Sequence, residues 1–227
     1  MDIKNLILII IAVLNFFVGL IIILRNPRNK INISFTLLLF SVVGWSIGLA
    51  MSRELAGSIE AVSWSKSCYF FAIIISYFFF CFTSVFPYQN KVQSTLKKIL
   101  LFLPLLFILV ILTKGNLMII GLTEKPWGYD ILFGQFWYII YSLIFGFYMI
   151  CSYFNLLKNF KKSIGYTKFL VSIVLFGFII AGIFGTIFDL ILPYFGYWKL
   201  NWFGPYFTII LLFVVAYNLF YKSSKNI

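Results

Sequence analysis

Seven apolar runs, most near the length of a bilayer-crossing helix, dominate this sequence: about 5–24, 33–52, 67–86, 99–113, 134–157, 169–192 and 203–221. A hydrocarbon core about 30 Å thick takes roughly 20 mostly apolar residues per helix, so such runs are expected to fold as spans. Hydrophobic residues make up 63% of the chain and charged residues 11%, too little charge to cover a water-facing surface. The expected fold is an all-α polytopic membrane protein, a seven-transmembrane-helix bundle over residues 1–227, with no loop long enough for an inserted soluble domain. The fourth run is the weakest. It is short, carries Pro104 early and stops at Lys114-Gly115, after which Met118-Ile119-Ile120 either extends it or lies in the interface.

Charge tests the helix number independently. Alternate connections carry Arg25, Arg28 and Lys30, then Lys91, Lys97 and Lys98, then Lys158, Lys161, Lys162 and Lys168, then Lys222 and Lys225, with no acid among them. The opposite connections carry Lys4, Arg53, Lys66, Lys114, Lys125 and Lys199, balanced by Asp2, Glu54, Glu60, Glu124, Asp130 and Asp189. The net charge of +12 therefore belongs to one side, which the positive-inside rule makes cytoplasmic, leaving the N-terminus outside. Removing the fourth span would scramble this segregation. Leu24 is followed by RNPRNK with no small-residue cleavage site, so the first run reads as an uncleaved anchor of a multi-pass cell-membrane protein. Basic juxtamembrane loops find their counter-charge in anionic lipid headgroups, not in nucleic acid.

Missing residue types remove much chemistry. With no histidine, the chain lacks imidazole acid–base catalysis, histidine-held haem or zinc, and a phosphoaccepting histidine. No span centre carries Lys, Arg, Asp or Glu, which weakens proton pumping, a retinal Schiff base and intramembrane aspartyl chemistry. Cys68, Cys81 and Cys151 form no CxxC and read as small buried residues. The expectation is a non-enzyme with no cofactor and no metal site.

Weakly polar side chains remain in the spans: Asn15, Ser41, Ser46, Ser76, Thr83, Ser84, Gln135, Ser142, Thr186, Thr208 and Asn218. They are expected to bond across helices or back to carbonyls, at about 0.6 kcal/mol each. Gly44 and Gly48 form a GxxxG, and Gly177, Ala181 and Gly185 recur on one face of the sixth run. Close packing inside the bundle and a homodimer are both open readings of these stripes.

All six tryptophans, Trp45, Trp64, Trp127, Trp137, Trp198 and Trp202, fall in the outer half, whereas the inner boundary has tyrosines such as Tyr88, Tyr153, Tyr166 and Tyr221. An ordinary interfacial belt populates both boundaries. One-sided placement points either to an asymmetric belt or to an outward aromatic pocket or lid. In the second case Trp45, Arg53, Trp64, Trp127, Asp130, Trp137, Asp189, Trp198 and Trp202 are the candidate ligand-binding residues, with Glu54 and Glu124 as further polar contacts. Asp189 stands out because it follows a long apolar run and precedes Leu190-Ile191-Leu192-Pro193, which places it within the last turns of the sixth helix. A carboxylate at that depth is costly unless paired or wet, and Arg53, Lys66 and Lys199 are the expected partners.

Several marker residues also resemble a known family. They are Asn32, Phe35 and Trp45 in the second run, Trp64 before the third, Phe86-Pro87 closing it, and Gly128-Tyr129 before the fifth. Then come Gly185, Asp189, Pro193, Gly196, Gly204-Pro205 and Ala216-Tyr217 before a basic exit. Together they look like the seven-helix N-terminal sensor region of prokaryotic histidine kinases. In that family the module senses an extracellular or membrane signal and passes it down the last helix. Asp189 stands where the resemblance implies an asparagine. Only Lys222 to Ile227 follow Tyr221, so the expected output is a separate signalling protein. The functional expectation is a sensor or receptor-like module; the alternatives are a small transporter or channel component for a neutral or cationic solute, and an assembly subunit without a ligand.

Overall fold

A computed structural model describes residues 2–88, 95–114, 116–125 and 128–218. The chain forms α1 (Ile3–Arg25), α2 (Lys30–Glu54), α3 (Ile59–Val85) and α4 (Thr95–Thr113). A hairpin of β1 (Ile119–Lys125) and β2 (Gly128–Phe133) follows, then α5 (Gln135–Lys162), α6 (Gly165–Thr186) and α7 (Gly204–Ala216). Between α6 and α7 lie a π-helical turn (Ile187–Ile191), a last helical turn (Leu192–Tyr194) and a 3₁₀ turn (Trp198–Phe203). Among the described residues, six helices are long and apolar enough to cross a membrane: Ile3–Arg25, Lys30–Glu54, Ile59–Val85, Gln135–Lys162, Gly165–Tyr194 and Trp198–Ala216. Within α4, Leu101–Thr113 is a shorter apolar helix.

Helices extend past the apolar runs because polar residues near their ends remain helical. Asn29 caps α2 by accepting from the Ile31 and Asn32 amides at 2.8 and 3.3 Å. Ser58 precedes α3, so Glu60, Trp64 and Lys66 lie in its first two turns and not in a loop. The 113–134 connection departs from the expected helix extension or interfacial stretch. Ile119 opens a strand, and the antiparallel register pairs Leu122 with Ile131 and Thr123 with Asp130. Met118 and Ile119 bury against Ile108, Ile111 and Leu112, which anchors the hairpin to the end of α4.

The bundle has two ends. Lys66 Nζ at the start of α3 donates to Asn116 Oδ1 at 3.1 Å, and Arg53 reaches Asn5 and Asn201, so the N-terminus, hairpin and 3₁₀ turn share one end. At the other, Asn159 Nδ2 of α5 donates to the Phe86 carbonyl at 2.6 Å, and the Tyr88 and Ser163 hydroxyls meet at 3.2 Å.

Small residues set the closest approach. A Cβ on Gly44 would lie 2.5 Å from the Phe71 ring, and one on Gly48 would lie 3.2 Å from the Cys68 amide nitrogen. The GxxxG therefore seats α2 against α3 inside the bundle. The weakly polar residues mostly bond back within their own helix, as with Asn15 to Ile11, Ser41 to Leu37 and Ser76 to Ile73. Tyrosine hydroxyls supply much of the bonding between helices. Tyr141 donates to the Tyr69 carbonyl at 2.9 Å, Tyr148 to Leu101 at 2.7 Å and Tyr153 to Phe178 at 2.7 Å. Tyr153 is thus an internal strut and not part of a boundary belt.

Candidate functional site

The last turns of the sixth helix are irregular for a chemical reason. Pro193 has no N–H to give to the carbonyl four residues back, which is that of Asp189. The Tyr69 hydroxyl approaches that carbonyl at 3.5 Å, and Tyr138 donates to the neighbouring Leu190 carbonyl at 2.8 Å. The backbone bond from Leu192 N to Ile187 O closes the wider π turn. Such bulges inside helices recur at functional sites because they re-aim one side chain.

That side chain is Asp189. It borders a cavity of about 100 Å³ lined by α2, α3, α5, α6, α7 and the hairpin, with Trp45, Cys68, Tyr69, Tyr141 and Trp198 among the lining residues. Asp189 Oδ2 is buried without a hydrogen-bond partner among the described residues, and so is Trp198 Nε1. Gly204, the first residue of α7, packs directly on the carboxylate, and a Cβ there would overlap Oδ2 and stand 3.0 Å from the Trp45 ring. The start of a helix favours an anion beside it, which offsets part of the cost of burying the group.

A polar cluster adjoins one end of the cavity and forms its lid. Arg53 Nη1 donates to Asn201 Oδ1 at 2.9 Å and Nε donates to Asn5 Oδ1 at 3.2 Å, while Nη2 stands 4.0 Å from Asp2 Oδ2. Asn5 Nδ2 in turn donates to Glu54 Oε2 at 2.8 Å. Tyr129, Trp198 and Asn201 line both this cluster and the cavity below it. Tyr129 hydrogen-bonds with Ser52 and Ser65, and burial pushes its hydroxyl up to about 12, with those bonds and Arg53 pulling the other way. It stays protonated as a fixed part of the lid.

From the side, a groove of about 660 Å³ runs between α5 and the sixth helix. It meets the cavity at Phe145, Met149, Gly182, Thr186 and Leu190, which line both.

The candidates read from sequence separate in space. Trp45, Asp189 and Trp198 converge on the cavity, and Arg53 sits in the lid above it. Trp202 stacks on Phe203 with ring centroids 3.9 Å apart, and Lys4 Nζ lies 5.5 Å from its ring. Trp137 packs beneath the hairpin, Asp130 faces Lys125 at 3.8 Å, and Trp64 is a half-buried residue of α3; none of the three borders the cavity. Trp127 lies outside the described residues. The cations expected near Asp189 are engaged or placed elsewhere, with Arg53 in the lid, Lys66 on Asn116 and Lys199 exposed. As site residues, sequence reading missed Tyr69, Tyr141, Asn5 and Asn201, and took Tyr129 only as a marker of the resemblance. A signal existed for one face, since Ser65, Cys68, Tyr69, Ala72, Ile75 and Phe79 follow helical spacing and all border the cavity.

No protein-family model matches this chain, and no curated protein and no solved structure matches it. The class that fold and site define is a polytopic, mostly helical membrane-type protein with a lidded internal cavity.

Proposed function

We propose that the chain is a non-enzymatic membrane sensor: seven spans, N-terminus outside, C-terminus cytoplasmic, a ligand or membrane state read in the lidded cavity, and output through a separate signalling protein. The observation that carries this reading is the Asp189 carboxylate on a π turn at the cavity wall, with its Oδ2 buried and without a hydrogen-bond partner among the described residues. A bundle needs no such group for stability, and intramembrane ionisable residues are functional by default. The seven-span arrangement draws support from Lys66 meeting Asn116, which brings the chain back to the lid end after α4. It draws further support from the segregation of acids and unbalanced cations in the sequence. The resemblance to kinase sensor regions rests on its marker residues alone, several of which, Trp45, Asp189 and Gly204 among them, meet at the cavity. A ligand displacing the Asp189 carboxylate bears directly on Gly204 and so on the last helix.

A complementation experiment tests the sensor reading. Deletion of the gene in its native cell should change a small set of transcripts, restored by the wild type and by Glu60→Leu but not by Asp189→Leu. Equal rescue by both variants contradicts a signalling site at Asp189.

A further inference from the structure

A cavity of about 100 Å³ is small for a complete ligand, since pockets for drug-sized molecules run to roughly 300–1,000 Å³. It is not isolated, because it continues through five shared lining residues into the 660 Å³ groove between α5 and the sixth helix. The two spaces differ in chemistry. The inner one holds the buried Asp189 oxygen, without a hydrogen-bond partner among the described residues, and is lined by the aromatic side chains of Trp45, Tyr69 and Trp198. The outer one is almost wholly aliphatic and aromatic, with exposed Ile139, Leu143, Ile150, Ile183 and Ile191 on its lipid-facing walls.

A charged head and a long apolar body are what such a pair of spaces selects. An ammonium ion pairs with a carboxylate and is attracted to the faces of aromatic rings, more strongly where water is excluded. A phosphate-bearing lipid head would put a second anion against Asp189. The groove follows α5 from Tyr138 to Tyr153, roughly 22 Å at 1.5 Å per residue, which accommodates an extended twelve-carbon chain. Trp198 Nε1, also buried without a partner among the described residues, offers a donor to any hydrogen-bond acceptor near the amine.

We infer that the site takes a single-chain lipophilic amine from the bilayer, its ammonium in the cavity against Asp189 and its alkyl chain in the α5–α6 groove. This rests on the reading of the cavity as a ligand site and names the class of ligand.

The test uses the full chain in phosphatidylcholine nanodiscs, with dodecylamine and dodecanol as probes, measured by equilibrium dialysis against empty nanodiscs. The expected result is saturable dodecylamine binding about tenfold or more tighter than dodecanol, reduced about tenfold by Asp189→Asn while dodecanol stays within about threefold. Gly146→Phe fills the groove from a position where an added Cβ meets nothing within 4 Å, and it should weaken both probes. If Asp189→Asn does not fold, retained dodecylamine binding by Gly146→Phe overturns the proposal and its loss supports it. Saturable binding without preference for the amine, or an amine affinity unchanged by Asp189→Asn, overturns the ammonium assignment and leaves the cavity as a ligand site. Failure of both probes to saturate above empty nanodiscs overturns the lipophilic-ligand assignment, whereas the cavity reading itself falls only if Asp189→Leu also complements as well as Glu60→Leu.

Discussion

Replacing Arg53 by Met should unlatch the lid. The guanidinium donates to Asn201 Oδ1 at 2.9 Å and to Asn5 Oδ1 at 3.2 Å, and those two asparagines are only 4% and 3% exposed. Each buried acceptor stripped of its donor costs about 1–3 kcal/mol. The contact with Asp2 at 4.0 Å adds little, because Asp2 is half exposed and water screens the pair. The expected loss is therefore roughly 3 kcal/mol, most of it from the two asparagines. Asn201→Leu alone should cost about 1–2 kcal/mol, and the double variant should lose less than the sum, with a coupling of about 1–2 kcal/mol. Reversible denaturant titration in mixed micelles gives all four corners of the cycle, and amide exchange at Trp198–Phe203 reports whether the 3₁₀ turn loosens. Zero coupling, or Arg53→Met within about 0.5 kcal/mol of wild type, would refute the latch.

Gly204→Ala places a methyl on the Asp189 carboxylate and against Trp45, so the variant should melt lower by the equivalent of about 1–3 kcal/mol; an unchanged midpoint would mean the carboxylate sits elsewhere. Tyr129 has a folded value of about 12 against about 10 in an unfolded chain, so its neutral form is favoured by folding. That contribution, at most roughly 3 kcal/mol, is fully present below pH 10 and is lost as pH rises through about 12. Tyr129→Phe should flatten the pH dependence of stability over that window, and identical profiles for the two proteins would exclude the effect. Tyr141→Phe removes a fully buried donor to the Tyr69 carbonyl and should cost about 0.6–1.5 kcal/mol in the same titration, with no loss counting against tyrosine struts between helices.

Much of the bundle was legible in the sequence because long apolar runs admit few alternatives in a bilayer. Helix ends were less so, since hydropathy falls at Glu60, Trp64 and Lys66 while the backbone remains helical through them. The hairpin escaped notice because Gly121, Thr123, Glu124 and Lys125 interrupt any clean alternation, and what holds it is burial of Met118 and Ile119 against α4. The depth of Asp189 could be read from its apolar neighbours. Its surroundings could not, because Gly204 and Trp45 come from distant positions and only packing brings them there. Arg53 illustrates the same limit, with partners 48 and 148 positions away in sequence. The gathering of the tryptophans toward one end of the bundle was visible, but which of them line the cavity depends on helix rotation, which sequence spacing leaves open.

Relay to a separate protein is tested most directly by tagging the chain at its C-terminus, purifying it from its native membrane in mild detergent and identifying stoichiometric companions by mass spectrometry. A companion carrying a kinase, cyclase or response domain is the predicted result, and recovery of the protein alone, intact and folded, would contradict it.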